Sequence, residues 1–228
     1  MNYAIAPSPT VSLPIRGSEQ RFPIRRVFCI GRNYADHARE MGATIDKETP
    51  MFFCKPADAV VTDGGPVPYP QATSDLHHEV EMVVALGSGG KDIAVDQAQV
   101  LIWGYGVGLD LTRRDLQAVA KAKSHPWDVA KGFDHSAPVS ALVPVAQATP
   151  EAGTLLRLTV NGSVRQQAPL GDMVHNVSEI IAALSKLFEL KAGDLIFTGT
   201  PAGVAALQRG DSFHAELEGI ATLDGKVV

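Results

Sequence analysis

The run Leu76-His77-His78-Glu79-Val80-Glu81-Met82-Val83-Val84-Ala85-Leu86 places two carboxylates at i and i+2 in an otherwise apolar stretch. In an extended strand such residues share a face, so Glu79 and Glu81 project together while Val80, Met82, Val84 and Leu86 form the opposite, apolar face. A fold that buries this strand must bring positive charge to the two acids, because like charges crowded away from water repel. A divalent cation held by oxygen donors meets that need. The competing reading is a solvent-facing edge strand with two unrelated acids, and this segment alone does not separate the two.

The chain has 228 residues, enough for one sizeable core, and nothing in it demands a second domain. Residues 1–23, rich in Pro and Ser, read as an extended lead-in that packs on the body as a strand, and 24–228 as a single domain. Hydrophobic residues make up 45% and charged residues 20%, an ordinary globular balance, while 21 Gly and 15 Pro call for many turns and so for a strand-rich fold. A net charge of -5 argues against a nucleic-acid surface but leaves room for a small anionic ligand where positive charge is concentrated. Cys29 and Cys54 belong to no CxxC pair or zinc-like cluster, and read as buried free thiols in a reducing compartment. No basic leader with an apolar run opens the chain, and no stretch reaches the roughly 18 apolar residues of a membrane span. The expectation is a cytoplasmic protein with no membrane partner.

Strands are expected at 27–30, 51–54, 101–110, 155–160, 164–167, 194–198 and 211–217. Asn161-Gly162 fits a type I′ hairpin turn, 63–66 a further turn, and 87–90 a flexible bend. Short helices are expected at 34–41, stopped by Gly42, and at 112–123, with Thr112 as the cap and Asp115 three positions on. Asn176-x-x-Glu179 reads as a capping box opening a helix whose Ile180, Ile181, Leu184, Leu187 and Phe188 share one face.

A third acid, Asp110, ends the glycine-rich run Gly104-Tyr105-Gly106-Val107-Gly108-Leu109, whose small residues let another backbone approach closely. Delivered beside Glu79 and Glu81, it completes a hard three-oxygen set that favours Mg²⁺, Mn²⁺ or Ca²⁺ over zinc or copper. The run is not a dinucleotide fingerprint, since its third glycine is at the wrong offset and no helix opens directly after it. His37 and Glu40 sit at i and i+3 on the short helix, where a carboxylate beside an imidazole fixes the tautomer and raises basicity. This is what a water-activating base needs; the alternative is an exposed surface pair. Arg113, Arg114, Gln117 and Lys131 follow Asp110 as donors for a carboxylate or a developing oxyanion, though most Arg and Lys residues are simply solvated. Lys55, Lys121 and Lys123 receive no role. Phe197-Thr198-Gly199-Thr200-Pro201-Ala202-Gly203-Val204 reads as a strand running into a loop that either holds an anion or is a plain Pro-Gly turn. The remaining histidines show no metal-like spacing.

Six segments in order, GRNYADHAREMG (31–42), FFCKPADAVV (52–61), HHEVEMVVALG (77–87), GYGVGLDLTRRD (104–115), PWDVAKGFD (126–134) and DLIFTGTPAGV (194–204), resemble the fumarylacetoacetate hydrolase family. The likeness runs over roughly 24–223 and is strongest to short bacterial acylpyruvate hydrolases. It implies an α+β, β-rich fold, a mixed β-sheet roll with a few helices, assembled as a homodimer. It implies Mg²⁺ or Mn²⁺ on Glu79, Glu81 and Asp110, a catalytic dyad of His37 and Glu40 on a mobile lid, Lys131 as a further catalytic group, and substrate contacts from Arg114, Gln117 and Thr200. Ala205 and His78 depart from the pattern of relatives and bear on substrate choice. The activity implied is hydrolysis of the carbon-carbon bond of a 2,4-dioxo acid, fumarylpyruvate in gentisate breakdown, with oxaloacetate decarboxylation or keto-enol isomerisation as the alternative.

Overall fold

The computed structural model describes residues 2–40, 42, 48–62 and 64–228. Met41, at the end of the first expected helix, and Asp63, in the expected turn, lie outside these residues. The main sheet has six strands in the order Val143–Pro144, Ile102–Leu109, Val80–Leu86, Asp194–Phe197, Arg26–Gly31 and Met51–Lys55. Its neighbours are antiparallel except Asp194–Phe197 and Arg26–Gly31, which run parallel and make the sheet mixed. A second, antiparallel sheet orders Ser163–Pro169, Leu155–Val160, Ser212–Leu217 and Ala221–Lys226. The fold is therefore the β-rich α+β roll that the resemblance implies.

The strand Val80–Leu86 explains how the layers stack, since all its residues are buried. Its even positions, Val80, Met82, Val84 and Leu86, enter a core shared with Leu156, Leu158, Phe213 and Leu217 of the second sheet and with Ile180, Ile181 and Leu184 of the helix Val177–Leu187. Its odd positions Val83 and Ala85 enter another core with Val27, Cys29, Leu195 and Phe197, covered by Leu13, Phe22 and Leu142. Each fully buried aliphatic or aromatic side chain contributes about 1.5–3 kcal/mol, so both faces of this strand are held firmly. The strand is no exposed edge.

Glycines let the edge of the main sheet pack closely. Gly104, Gly106 and Gly108 alternate on one face of Ile102–Leu109, and the chain from Pro138 to Pro144 lies directly across them. A Cβ on Gly104 would stand 2.5 Å from the Val143 carbonyl oxygen, and one on Gly108 would stand 2.9 Å from that of Pro138.

Several local expectations hold: the box joining Asn176 and Glu179 is formed, and Asn161 and Gly162 turn the hairpin with φ of 50° and 79°, as a type I′ turn requires. Others are corrected. Thr112 is not a helix cap: Thr112–Arg113 is a short strand, the helix is Arg114–Ala122, and the Thr112 hydroxyl donates to the Asp110 carbonyl. Asp115 serves that helix start instead, accepting from Leu116 N and Thr73 Oγ1. Leu187, 64% exposed, and Phe188, 37% exposed, leave the buried face of their helix because it ends there. Cys54 is exposed, since the edge strand Met51–Lys55 is uncovered at that position, whereas Cys29 is buried. The glutamate pair straddles the strand start, with Glu79 just before Val80. No helix among the described residues is long and apolar enough to cross a membrane.

Substituting Gly104→Ala drives a methyl group into an immovable backbone carbonyl. The expected loss is about 1–3 kcal/mol, read as a lower denaturant midpoint with an unchanged slope.

Candidate metal centre and active site

Strand pairing assembles the acidic site. Glu81 is paired with Gly108, and the Asp110 amide donates to the Glu79 carbonyl at 2.8 Å, extending the ladder by one step. Cross-strand partners point to the same face, so Glu79, Glu81 and Asp110 converge there, with the Pro138 carbonyl and the Phe197 ring packed against Gly108 opposite Glu81. One oxygen from each of the three lies within 4.8 Å of the others, and all three side chains are buried.

Cations answer two of these acids. Lys131 Nζ donates to Glu79 Oε2 at 2.7 Å and to Asp110 Oδ2 at 2.6 Å, and Arg114 Nη2 donates to Glu79 Oε1 at 2.5 Å. Burial opposes the Glu79 charge, but Lys131 and Arg114 outweigh it and hold this carboxyl well below the usual carboxylate range. Burial likewise disfavours charged Lys131, and Asp110 and Glu79 reverse the sign, so the ammonium persists. Among the described residues Glu81 has only the Gly199 amide, at 2.6 Å. Burial first, then Asp110 and Glu79, push its carboxyl well above the usual range. One buried oxygen, Asp110 Oδ1, has no hydrogen bond, although Lys55 Nζ stands 2.8 Å away. An acid with no side-chain cation in ion-pair range among the described residues, a buried oxygen without a hydrogen bond and an all-carboxylate donor set together fit a hard divalent ion such as Mg²⁺ or Mn²⁺.

The helix Ala35–Glu40 lies over this centre and carries His37, which is buried. His37 Nδ1 is 3.4 Å from Glu40 Oε2. Both Glu40 oxygens also accept from the Gly203 amide at 3.2 Å, which ties the helix to the loop after Asp194–Phe197. Desolvation lowers the His37 pKa below 6.5, against the opposing pull of Glu79 and Glu40, so the ring is a neutral base at pH 7. Gly199, at φ 94°, delivers its amide to Glu81, and a Cβ there would meet Asn33 Cβ at 2.6 Å.

A cavity of about 40 Å³ is lined by His37, Glu79, Glu81, Asp110, Arg114, Gln117, Lys131 and Thr200 together. Glu40 stands behind His37 rather than in its wall. Arg113 faces away, stacked 4.3 Å from the Phe133 ring. A larger hollow of about 740 Å³ opens over Met82 and Tyr105 and holds none of the candidate residues, so the candidate site is the smaller one.

Sequence reading passed over two buried polar groups that hold this site. Lys55 is fully buried; it donates to the Leu111 carbonyl at 3.1 Å and to the Lys131 carbonyl, besides its contact with Asp110. Its only local signal is an inward register on an apolar strand. Gln166 accepts from Val80 N at 3.0 Å and pairs with His78 Nδ1 at 2.9 Å, while its amide nitrogen donates to Thr200 Oγ1 and the Pro201 carbonyl, each at 2.7 Å. No alternation in its strand marks it, although 166 is the buried position there. Burial, with Asp110 adding to it, pushes the Cys29 thiol up, so this cysteine packs rather than reacts.

The fumarylacetoacetate hydrolase C-terminal family model matches residues 26–228, and the chain belongs to this family of enzymes. It is 42% identical over 205 residues to the oxaloacetate tautomerase YcgM of Escherichia coli, covering 90% of this chain and 93% of that protein. It is 43% identical over 185 residues to a fumarylpyruvate hydrolase of Ralstonia sp, covering 80% of this chain and 96% of that protein. The crystal structure of fumarylpyruvate hydrolase from Pseudomonas aeruginosa in complex with Mn²⁺ and pyruvate superposes with a TM-score of 0.96 at 46% identity, covering 100% of this chain and 99% of that one.

Glu81→Gln tests the donor set without a change in side-chain size. In chelator the variant should unfold at or above the wild-type temperature, because a group whose ionisation burial, Asp110 and Glu79 all disfavour is replaced by a neutral amide. Added Mn²⁺ should raise the wild-type midpoint, by about 2.7 kcal/mol of stability at a hundredfold excess over Kd, and leave the variant unmoved in a thermal-shift measurement.

Proposed function

We propose that this enzyme hydrolyses the carbon-carbon bond of an acylpyruvate, fumarylpyruvate in the first place, to pyruvate and a carboxylic acid. The observation that carries the reading is one cavity in which a buried three-carboxylate centre faces a neutral histidine backed by a glutamate. Glu79, Glu81 and Asp110 would hold Mg²⁺ or Mn²⁺, which when bound supplies positive charge for a 2-oxo acid and eases departure of the pyruvate enolate.

His37 takes a proton from water as the oxygen adds to the distal acyl carbonyl, and Glu40 keeps the imidazole oriented and balances the charge it gains. Lys131 and Gln117 donate to the oxyanion that forms there. Gln117 is set for this task, because its carbonyl already accepts from Arg114 at 2.7 Å and its amide nitrogen remains to donate. When the carbon-carbon bond breaks, its electron pair stays on the pyruvate fragment, and the imidazolium returns the proton to that carbon. Arg114 and Thr200 bind the substrate's oxygens. In this reading residues 24–228 act as one catalytic domain, with 1–23 packed against it, and the enzyme works as a cytoplasmic homodimer in aromatic breakdown.

A second reading, oxaloacetate tautomerisation or decarboxylation, is favoured by the likeness to YcgM. It needs an enolate-stabilising centre but no attacking water. The enol absorbance of acylpyruvates and of oxaloacetate, followed with Mn²⁺, Mg²⁺ or chelator, decides between them. His37→Ala should cut acylpyruvate hydrolysis by about 10²–10⁴-fold; undiminished pyruvate release would remove the water-activating role.

The pH profile follows from the same ring. Protonation disables a base, and the His37 pKa is lowered, so kcat/KM should hold through neutrality and fall only below pH 6.5, the ordinary histidine value. An acid limb above that value would contradict a desolvated His37 as the base.

A further inference from the structure

Four cations, Arg32, Arg114, Lys121 and Lys131, line the same cavity as the three carboxylates. Lys131 and Arg114 are engaged by the acids. Arg32 and Lys121 have no carboxylate partner in hydrogen-bond or ion-pair range among the described residues, and both side chains are exposed, so they form the solvent rim. Arg32 sits at φ 60°, a left-handed conformation that a long side chain rarely adopts, in the bend between Arg26–Gly31 and Ala35–Glu40. Such strain persists where the surroundings enforce it and collects at functional positions.

Between this rim and the buried acids lies an apolar, aromatic stretch. Lys121 Nζ is 5.2 Å from the Trp127 ring centroid, Trp127 lies 6.3 Å from Phe53, and Phe53 is 4.9 Å from Lys131 Nζ. Met51 completes that wall. Outward from the acids, the lining therefore passes from charged to apolar and back to charged. With a divalent ion on the three ionised acids, the lining holds three surplus positive charges. A 2-oxo acid head neutralises one of them, and the unmatched remainder includes the rim pair.

We propose that Arg32 and Lys121 form a distal anion subsite that selects substrates carrying a second carboxylate at the far end of the acyl group, with the apolar stretch between receiving its carbon chain. The subsite rests on the acylpyruvate reading above for the placement of the 2-oxo acid head. An arginine beside a lysine suits a carboxylate, one group offering a planar fork and the other a mobile point charge. Crowding fits this role: burial, followed by the charges of Arg114 and Arg32, lowers the Lys121 pKa, and an arriving anion relieves that repulsion.

Isothermal titration of the Mn²⁺-loaded protein tests it with two ligands of equal length, 2-oxoadipate and 2-oxohexanoate, which share the head and differ only in the terminal carboxylate. Wild type should prefer 2-oxoadipate by about tenfold or more, with the preference shrinking as salt is raised. In Arg32→Gln/Lys121→Gln that preference should collapse towards parity, while the charge-conserving Lys121→Arg keeps it. Thermal midpoints of all variants check that each is folded. Equal affinities in wild type, or a preference that survives the double substitution, overturns the subsite alone. If neither ligand binds, the placement of the 2-oxo acid head is wrong, and the functional reading falls with the subsite.

Discussion

Everything at this site depends on holding three carboxylates together away from water. Their mutual repulsion is a folding cost unless cations offset it, and the structure offsets only part. Lys131 bridges Glu79 and Asp110, Arg114 takes the other side of Glu79, and Lys55 approaches Asp110 from beneath. Glu81 is left with one backbone amide. A divalent ion is the group whose charge and oxygen preference fit that remainder.

The rest of the fold can be read as support for this cluster. Two cores clamp the strand that carries Glu81 from both faces, which gives the acids a rigid base. The glycine face of the neighbouring strand admits the chain from Pro138 to Pro144 and leaves Asp110 free to point at the glutamates. Asn33 is completely buried; it donates to the Thr198 and His175 carbonyls and accepts from the His175 amide. It roots the bend carrying Arg32 and the helix carrying His37 to the loop that holds Glu81 and Thr200. The elements carrying His37, the three acids and Thr200 are thereby held next to one another.

Legibility in the sequence followed the range of the interaction. Glu79 with Glu81, and His37 with Glu40, are visible as spacings because strand and helix periodicity acts over two to four residues. The capping box at Asn176 and the turn at Asn161-Gly162 are equally local. Thr112 misled because a hydroxyl before an apolar run is a cap only if the backbone turns there, and pairing of Thr112–Arg113 with Leu76–His77 delays the turn. Lys55 and Gln166 gave little signal, since their partners lie far along the chain: Lys131 is 76 residues from Lys55, and Thr200 is 34 from Gln166.

By itself, the sequence determined the donor types and their facing: two acids on one side of a strand, a third after a glycine stripe, and a histidine with a glutamate one helical turn away. Only the tertiary structure decided that these face one cavity, that Glu81 rather than Glu79 lacks a side-chain cation among the described residues, and that Arg32 and Lys121 stand at its rim. The physical reason is that face and spacing come from local backbone geometry, whereas charge balance in a buried site is a sum over groups that long-range strand pairing alone brings together.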